Sequence, residues 1–159
     1  MKGKTEVIDH LNGILSAILT AINQYFIHSQ MCENWGYGIL DRKFRRESIR
    51  VMVTAESLIK RILYLQGQPN MSDYLKIRIG STPVKQLKND LTLELEIIQR
   101  LKKGIIQSRE FRDDGTRRLL MNYVSEAEQN VDWLEAQIDQ IGTLGEGKYL
   151  AQNIHKKSH

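Results

Sequence analysis

Only two prolines, Pro69 and Pro83, interrupt a chain of 159 residues. A proline inside a helix removes a backbone donor and collides with the preceding turn, so the long proline-free stretches are open to continuous helix. Apolar residues recur in them at intervals of three and four, which aligns them on one helical face. A first helix is expected from roughly Thr5 to Asn34, with Thr5 as N-cap and Glu6 in the first turn. It carries two apolar stripes: Val7, Leu11, Ile14, Ile18, Ala21 and Tyr25, and then Leu15, Leu19, Ile22 and Phe26. One small bundle cannot bury both faces, so the second stripe predicts a subunit interface. A second helix, about Arg42 to Gln66, turns Ile49, Met52, Ala55, Ile59, Ile62 and Leu63 inward and is ended by Gly67 and Pro69. Gly67 to Thr82 has no helical period, and a loop of that length predicts a crossover between distant helix ends. A third helix runs from Pro83 to about Arg109, with Leu87, Leu91, Glu94, Ile98, Leu101 and Ile105 on one face. The turn Asp113-Asp114-Gly115-Thr116 makes the third and fourth helices antiparallel neighbours. The fourth continues to about Ile141 through Leu120, Tyr123, Ala127, Val131, Leu134 and Ile138. Gly142, Gly145 and Gly147 break it, and a short terminal helix, about Tyr149 to His155, follows. The expectation is one all-α domain over residues 1–159.

Composition narrows the class. Hydrophobic residues make up 41% and charged residues 26%, too apolar for wholesale disorder and sufficient for one core. No apolar run approaches the roughly 18 residues of a membrane span. The start Met1-Lys2-Gly3-Lys4 is not followed by a signal-type apolar block, so a cytoplasmic chain with no membrane partner is expected. The single cysteine, Cys32, cannot form an internal disulfide, suits a reducing compartment and reads as a semi-buried thiol. A net charge of +4 permits contact with polyanions without requiring it. The densest basic run, Arg42-Lys43-Phe44-Arg45-Arg46 with Arg50, reads as a solvated helix face or the wall of an internal cavity.

Helical bundles hold a di-iron pair with one Glu from each of two helices and a Glu-x-x-His pair from each of the other two. This chain has four histidines, His10, His28, His155 and His159, and no Glu stands three residues before any of them. None lies on the second, third or fourth helix. Glu6 and His10, spaced i to i+4, read as a surface pair, and no Cys–His zinc spacing is present.

Over nearly its whole length the chain resembles bacterioferritin. The match is carried by Met1-Lys2-Gly3, Ala21-Ile22-Asn23-Gln24-Tyr25-Phe26, Asn34-Trp35-Gly36, Glu47-Ser48-Ile49 with Met52, and Arg61-Ile62-Leu63. Gly67 with Pro69-Asn70, Ile79-Gly80, Asp90-Leu91, Leu93-Glu94-Leu95-Glu96, Asp132-Trp133-Leu134-Glu135 and Tyr149-Leu150 complete it. The resemblance implies a ferritin-like four-helix bundle with a long crossover and a short fifth helix. It further implies a cytoplasmic twenty-four-subunit shell storing an iron mineral, with haem b shared between two subunits and held by one Met from each.

By position, the family's six ferroxidase ligands fall on Ile18, Val51, Thr54, Glu94, Ala127 and Asn130. Only Glu94 is a ligand for iron, because a hard iron site needs carboxylate and imidazole. The resemblance therefore implies a haem-bearing subunit with no di-iron centre of its own. It would assemble with identical subunits, with a ferroxidase-competent sibling, or with both, and an electron-donor ferredoxin is an expected partner. Met52 matches the haem ligand, and Leu19, Asn23, Phe26 and Ile49 match its surroundings. Arg45, on one stripe with Ile49 and Met52, is a candidate partner for the haem propionates. Tyr25 and Trp133 resemble aromatics near the di-iron site, with packing as their default role. Asn34, Asp132 and Asp139 match residues lining an ion pore. Two alternatives stay open: a dimeric b-type haem electron carrier, and a DNA-binding protective protein like the mini-ferritins, for which the N-terminus lacks a long basic tail.

Overall fold

The computed structural model describes residues 2–154. His155 and His159 lie outside the described residues. The chain forms α1 (Thr5–Trp35), α2 (Gly38–Tyr64), α3 (Pro83–Glu110), α4 (Asp114–Leu144) and α5 (Glu146–Ala151), with no strand among the described residues. None of these helices is long and apolar enough to cross a membrane.

Helix ends follow local hydrogen bonding, and several differ from expectation. Thr5 is the first helical residue and not the cap; Lys4 occupies that position with extended backbone and no side-chain bond. α2 starts at Gly38, ahead of Arg42, because the Tyr37 N–H closes α1 on Cys32 O (2.9 Å) while Tyr37 O already accepts the Asp41 N–H (3.0 Å). At its other end Gln66, not Gly67, takes the left-handed conformation (φ 64°). Gly67 serves a different purpose, since a Cβ there would stand 2.6 Å from Ile8 Cγ2. α3 opens on Pro83 behind Thr82, whose hydroxyl accepts the Lys85 N–H, and Asp113 caps α4 by accepting the Thr116 N–H (3.1 Å). Gly142 does not break α4; the helix runs through it to Leu144. The terminal helix begins and ends earlier than Tyr149 to His155. It presses buried Tyr149 against the bundle, the phenol donating to Gln137 Oε1 (2.6 Å).

α1 packs on α2 and α3 on α4, and α1 joins the two pairs by packing on α3. A ladder of α1 side chains spaced at multiples of four residues secures the crossover to the bundle. Asn12 donates to Gln68 O (3.0 Å) and accepts the Asn70 N–H (2.8 Å). Thr20 accepts from Leu75 N (2.8 Å), Gln24 from Arg78 N (3.0 Å) and His28 from Gly80 N (2.9 Å). The rungs from Asn12 to His28 climb about 24 Å of α1, so the crossover travels the length of the bundle and α3 runs parallel to α2. Backbone groups that a loop would otherwise leave unpaired are satisfied by side chains.

The top rung depends on Gly80. A Cβ there would collide with the backbone nitrogen of Gln86 and stand 2.6 Å from its Cα, atoms that belong to a helix and cannot give way. Gly80→Ala is expected to destabilise the fold by about 2–3 kcal/mol, the usual scale of overpacking. Urea unfolding measures this; an unchanged midpoint would show that the crossover lifts without cost.

Two predicted faces require correction. On α2 the inward residues are Leu40, Phe44, Val51, Ala55, Leu58 and Ile62, whereas Ile49, Met52 and Leu63 point outward and Ile59 is only half-buried. On α1 the first stripe is buried as expected, but Leu15 and Leu19 of the second stripe are buried within the subunit too. Ile22 is half-buried, and Phe26 alone of that stripe is exposed.

Candidate functional site

At mid-bundle, four helices bring polar groups into a hydrocarbon core. Ile18 comes from α1, Val51 and Thr54 from α2, Glu94 from α3, and Ala127 and Asn130 from α4; all six are buried. Glu94 is the hub. Its Oε1 accepts from the Tyr25 phenol (2.7 Å), the Arg50 guanidinium (2.8 Å) and the Asn130 amide (3.2 Å), while Asn130 also donates to the Tyr25 oxygen (2.7 Å). Thr54 is turned away, its hydroxyl donating to the Arg50 carbonyl (3.2 Å). Glu94 Oε2 and Asn130 Oδ1 are buried without a hydrogen-bond partner.

Arg50 is the residue that sequence reasoning misplaced. It belongs neither to a solvated face nor to a cavity wall as a free charge, because its guanidinium enters the bundle. Nε donates to Glu47 Oε1 (2.6 Å) and Nη2 to Glu94, and Glu47 in turn accepts from Lys43 (3.0 Å). Lys43, Glu47, Arg50 and Glu94 thus alternate in sign from a Lys43 side chain 16% exposed to a Glu94 side chain 1% exposed. Burial pulls the guanidinium down, but Glu94 and Glu47 more than offset it and hold Arg50 protonated above its ordinary range. Burial pushes the Glu94 carboxyl up, opposed by Arg50, Tyr25 and Asn130. Burial, with Glu94 beside it, pushes the Tyr25 phenol well up, so Tyr25 is a donor here. The signal that could have revealed Arg50 was the cost of an unpaired inward carboxylate, several kcal/mol, which calls for a cation within reach.

A second buried network lies on the same side of α1. The Gly80 N–H points at His28 Nε2, so the imidazole proton sits on Nδ1 and is donated to Asp90 (2.9 Å to Oδ1). Gln24 donates to the same carboxylate (2.9 Å). Burial raises Asp90, and the His28 and Gln24 bonds pull it back only in part. Cys32 is fully buried, deeper than expected; its thiol donates to Gln86 Oε1 (3.2 Å), and burial pushes it up to about 12. Asn12, Ser16, Thr20, Gln24, His28 and Cys32 recur at every fourth position, a polar stripe legible in the sequence and overlooked beside the apolar ones.

The outer face of α1 and α2 carries the other predicted residues. Phe26 is 51% exposed, Ile49 55% and Met52 53%; Asn23, one turn before Phe26 on α1, is exposed, and Leu19 is buried. Met31 is differently placed, its sulfur accepting from Gln86 (3.6 Å). Arg45 already holds Glu33 (3.1 Å) and Asp41 (3.2 Å). His10 forms no pair with Glu6 and is instead hydrogen-bonded to the Arg100 carbonyl (2.9 Å). Trp133 is half-buried under Lys43, 4.8 Å from its ring, and Tyr25 stacks on Phe44. Asn34, Asp132 and Asp139 are exposed. Among the described residues, no group of three or more His, Cys, Asp or Glu side chains is placed to hold a metal ion.

The fold agrees with what the chain is similar to. Residues 8–144 match the ferritin-like domain. The bacterioferritin of Mycobacterium leprae is 43% identical over 156 residues, 98% of each chain. The bacterioferritin of Mycobacterium tuberculosis is 41% identical over the same share. A bacterial ferritin of Neisseria meningitidis is 39% identical over 97% of this chain and all of its own. With near-complete coverage in both directions and a four-helix bundle closed by a bundle-length crossover, this chain belongs to the bacterioferritin family.

Proposed function

We propose that this protein is a haem-binding subunit of an iron-storing bacterioferritin shell and has no ferroxidase centre of its own. The observation that carries the haem assignment is the exposure of Met52, a thioether half-open to solvent on the helix that also exposes Ile49 and packs on the α1 that exposes Phe26. Contiguous exposed apolar surface marks an interaction site, and Met52, Ile49 and Phe26 are candidates for one on the paired helices α1 and α2. The donor chemistry fits haem: a soft neutral sulfur with apolar company, and no competing hydrogen bond to Met52 like the one that engages Met31. Met52 of this chain and the same residue of a second copy would hold the iron, with Ile49, Phe26, Asn23 and the edge of Leu19 lining the cleft. Haem bound there supplies one-electron transfer, which serves release of the stored iron. Arg45 would have to exchange Glu33 or Asp41 for a propionate, which makes it the weakest member of the set.

The di-iron group, in contrast, does not fit. Ile18, Val51 and Ala127 present hydrocarbon, Thr54 and Asn130 are weak neutral donors, and the one carboxylate is held by a guanidinium. Ferrous iron would therefore be oxidised by a ferroxidase-competent sibling in a mixed shell, with electrons for release arriving from a ferredoxin. The setting expected for such a shell is the cytoplasm. Nucleic acid is not an expected partner: Lys43, Arg45 and Arg50 of the basic run are each paired with a carboxylate.

Native mass spectrometry tests the proposal. A shell of twenty-four subunits, alone or with a sibling, and one haem per subunit pair is expected. A haem-bearing dimer that never assembles further would favour the electron carrier instead.

A further inference from the structure

We infer that Arg50 is the resident cation of the buried centre, and that its guanidinium excludes a metal ion from the carboxylates of Glu47 and Glu94. The inference rests on the reading that this subunit has no metal centre there, and it identifies what stands in the metal's place. Three observations carry it. Nε and Nη2 of one guanidinium each take a carboxylate oxygen, at 2.6 Å from Glu47 and 2.8 Å from Glu94, so the cation bridges acids on two helices. Glu94 is fully buried on α3 and Glu47 nearly so on α2. Glu94 Oε2 and Asn130 Oδ1, both acceptors, are left without partners in the same cluster. Tyr25 presents its phenol oxygen to Glu94, and with the carboxylates of Glu47 and Glu94 and the unpartnered Asn130 Oδ1 the cluster is rich in oxygen, the donor type that suits hard divalent cations. A guanidinium offers planar, permanently charged donors and cannot be displaced by deprotonation. Two carboxylates that would otherwise repel are thereby held without a metal.

Removing the charge should turn the cluster into a metal site. The probe is Mn²⁺ alone, a hard ion that electron paramagnetic resonance counts as bound or free. Wild type and Glu94→Gln are expected to bind the same number of Mn²⁺ ions, all of them elsewhere on the protein. Arg50→Ala is expected to gain one equivalent per subunit, and Glu94→Gln in that background to remove it. Mn²⁺ should also raise the melting temperature of Arg50→Ala and leave wild type unmoved, a readout that lost packing alone would not produce. If wild type itself loses one Mn²⁺ per subunit on Glu94→Gln, the metal-free reading of this centre fails and the inference goes with it. If wild type binds none there and folded Arg50→Ala gains none, only the inference is overturned. Should Arg50→Ala not fold, Arg50→Gln, which is neutral but keeps an amide donor, is judged by the same criteria. Should neither fold without metal, refolding with Mn²⁺ is expected to recover the bundle, and failure to do so overturns the inference.

Discussion

Met52→Leu is expected to give a protein that folds and assembles normally and carries no haem. Leucine keeps the side-chain volume and removes only the sulfur. Volume-conserving apolar exchanges cost less than about 1.5 kcal/mol even in a core, and Met52 is half exposed on the subunit. The iron, however, would lose the axial ligand from each subunit at once, because the same substitution occurs on both sides of the pair. The absorption spectrum after reconstitution with haem, read beside the assembled mass, checks both halves of the expectation. A variant with the full haem spectrum would remove Met52 from the assignment. Met71, exposed on the crossover, would then be the better remaining thioether, since the Met31 sulfur is engaged by Gln86. Two neutral sulfur ligands favour the ferrous state, so the wild-type haem is expected to have a higher potential than a His-ligated one.

The homopolymer is expected to show no rapid two-iron oxidation phase in stopped flow with ferrous iron and oxygen. A ferroxidase centre needs a paired set of carboxylates and imidazoles. Here Ile18, Val51 and Ala127 cannot coordinate, and Glu94 is committed to Arg50, Tyr25 and Asn130. The pattern of the class says which ligands to restore: Ile18→Glu, Val51→Glu with Thr54→His, and Ala127→Glu with Asn130→His. These five exchanges remove the Asn130 amide from Glu94 and Tyr25, but they leave the guanidinium on Glu94. The rapid phase is therefore expected when Arg50→Ala joins them, and to be slower while Arg50 remains. A fast, stoichiometric phase in wild type would overturn the assignment of this subunit as ferroxidase-inactive.

The linear order of residues by itself determined the helices, their approximate lengths, the bundle-length crossover and the inward position of Glu94. Each follows from a local rule: proline exclusion, a spacing of three and four, turn chemistry at Asp113 to Thr116, and helical phase. Which donors reach that carboxylate was left to the tertiary structure: Tyr25 and Asn130 bond to it and Thr54 turns to its own helix. Only the tertiary structure decided which apolar stripe of α2 is core. Ile49 and Met52 on one side and Val51, Leu58 and Ile62 on the other are equally apolar, and periodicity carries no information about which face meets a neighbouring helix. The structure also decided the role of Arg50. A long aliphatic stem separates the guanidinium from its Cα, so a residue that begins in a surface basic run can end its side chain inside the bundle.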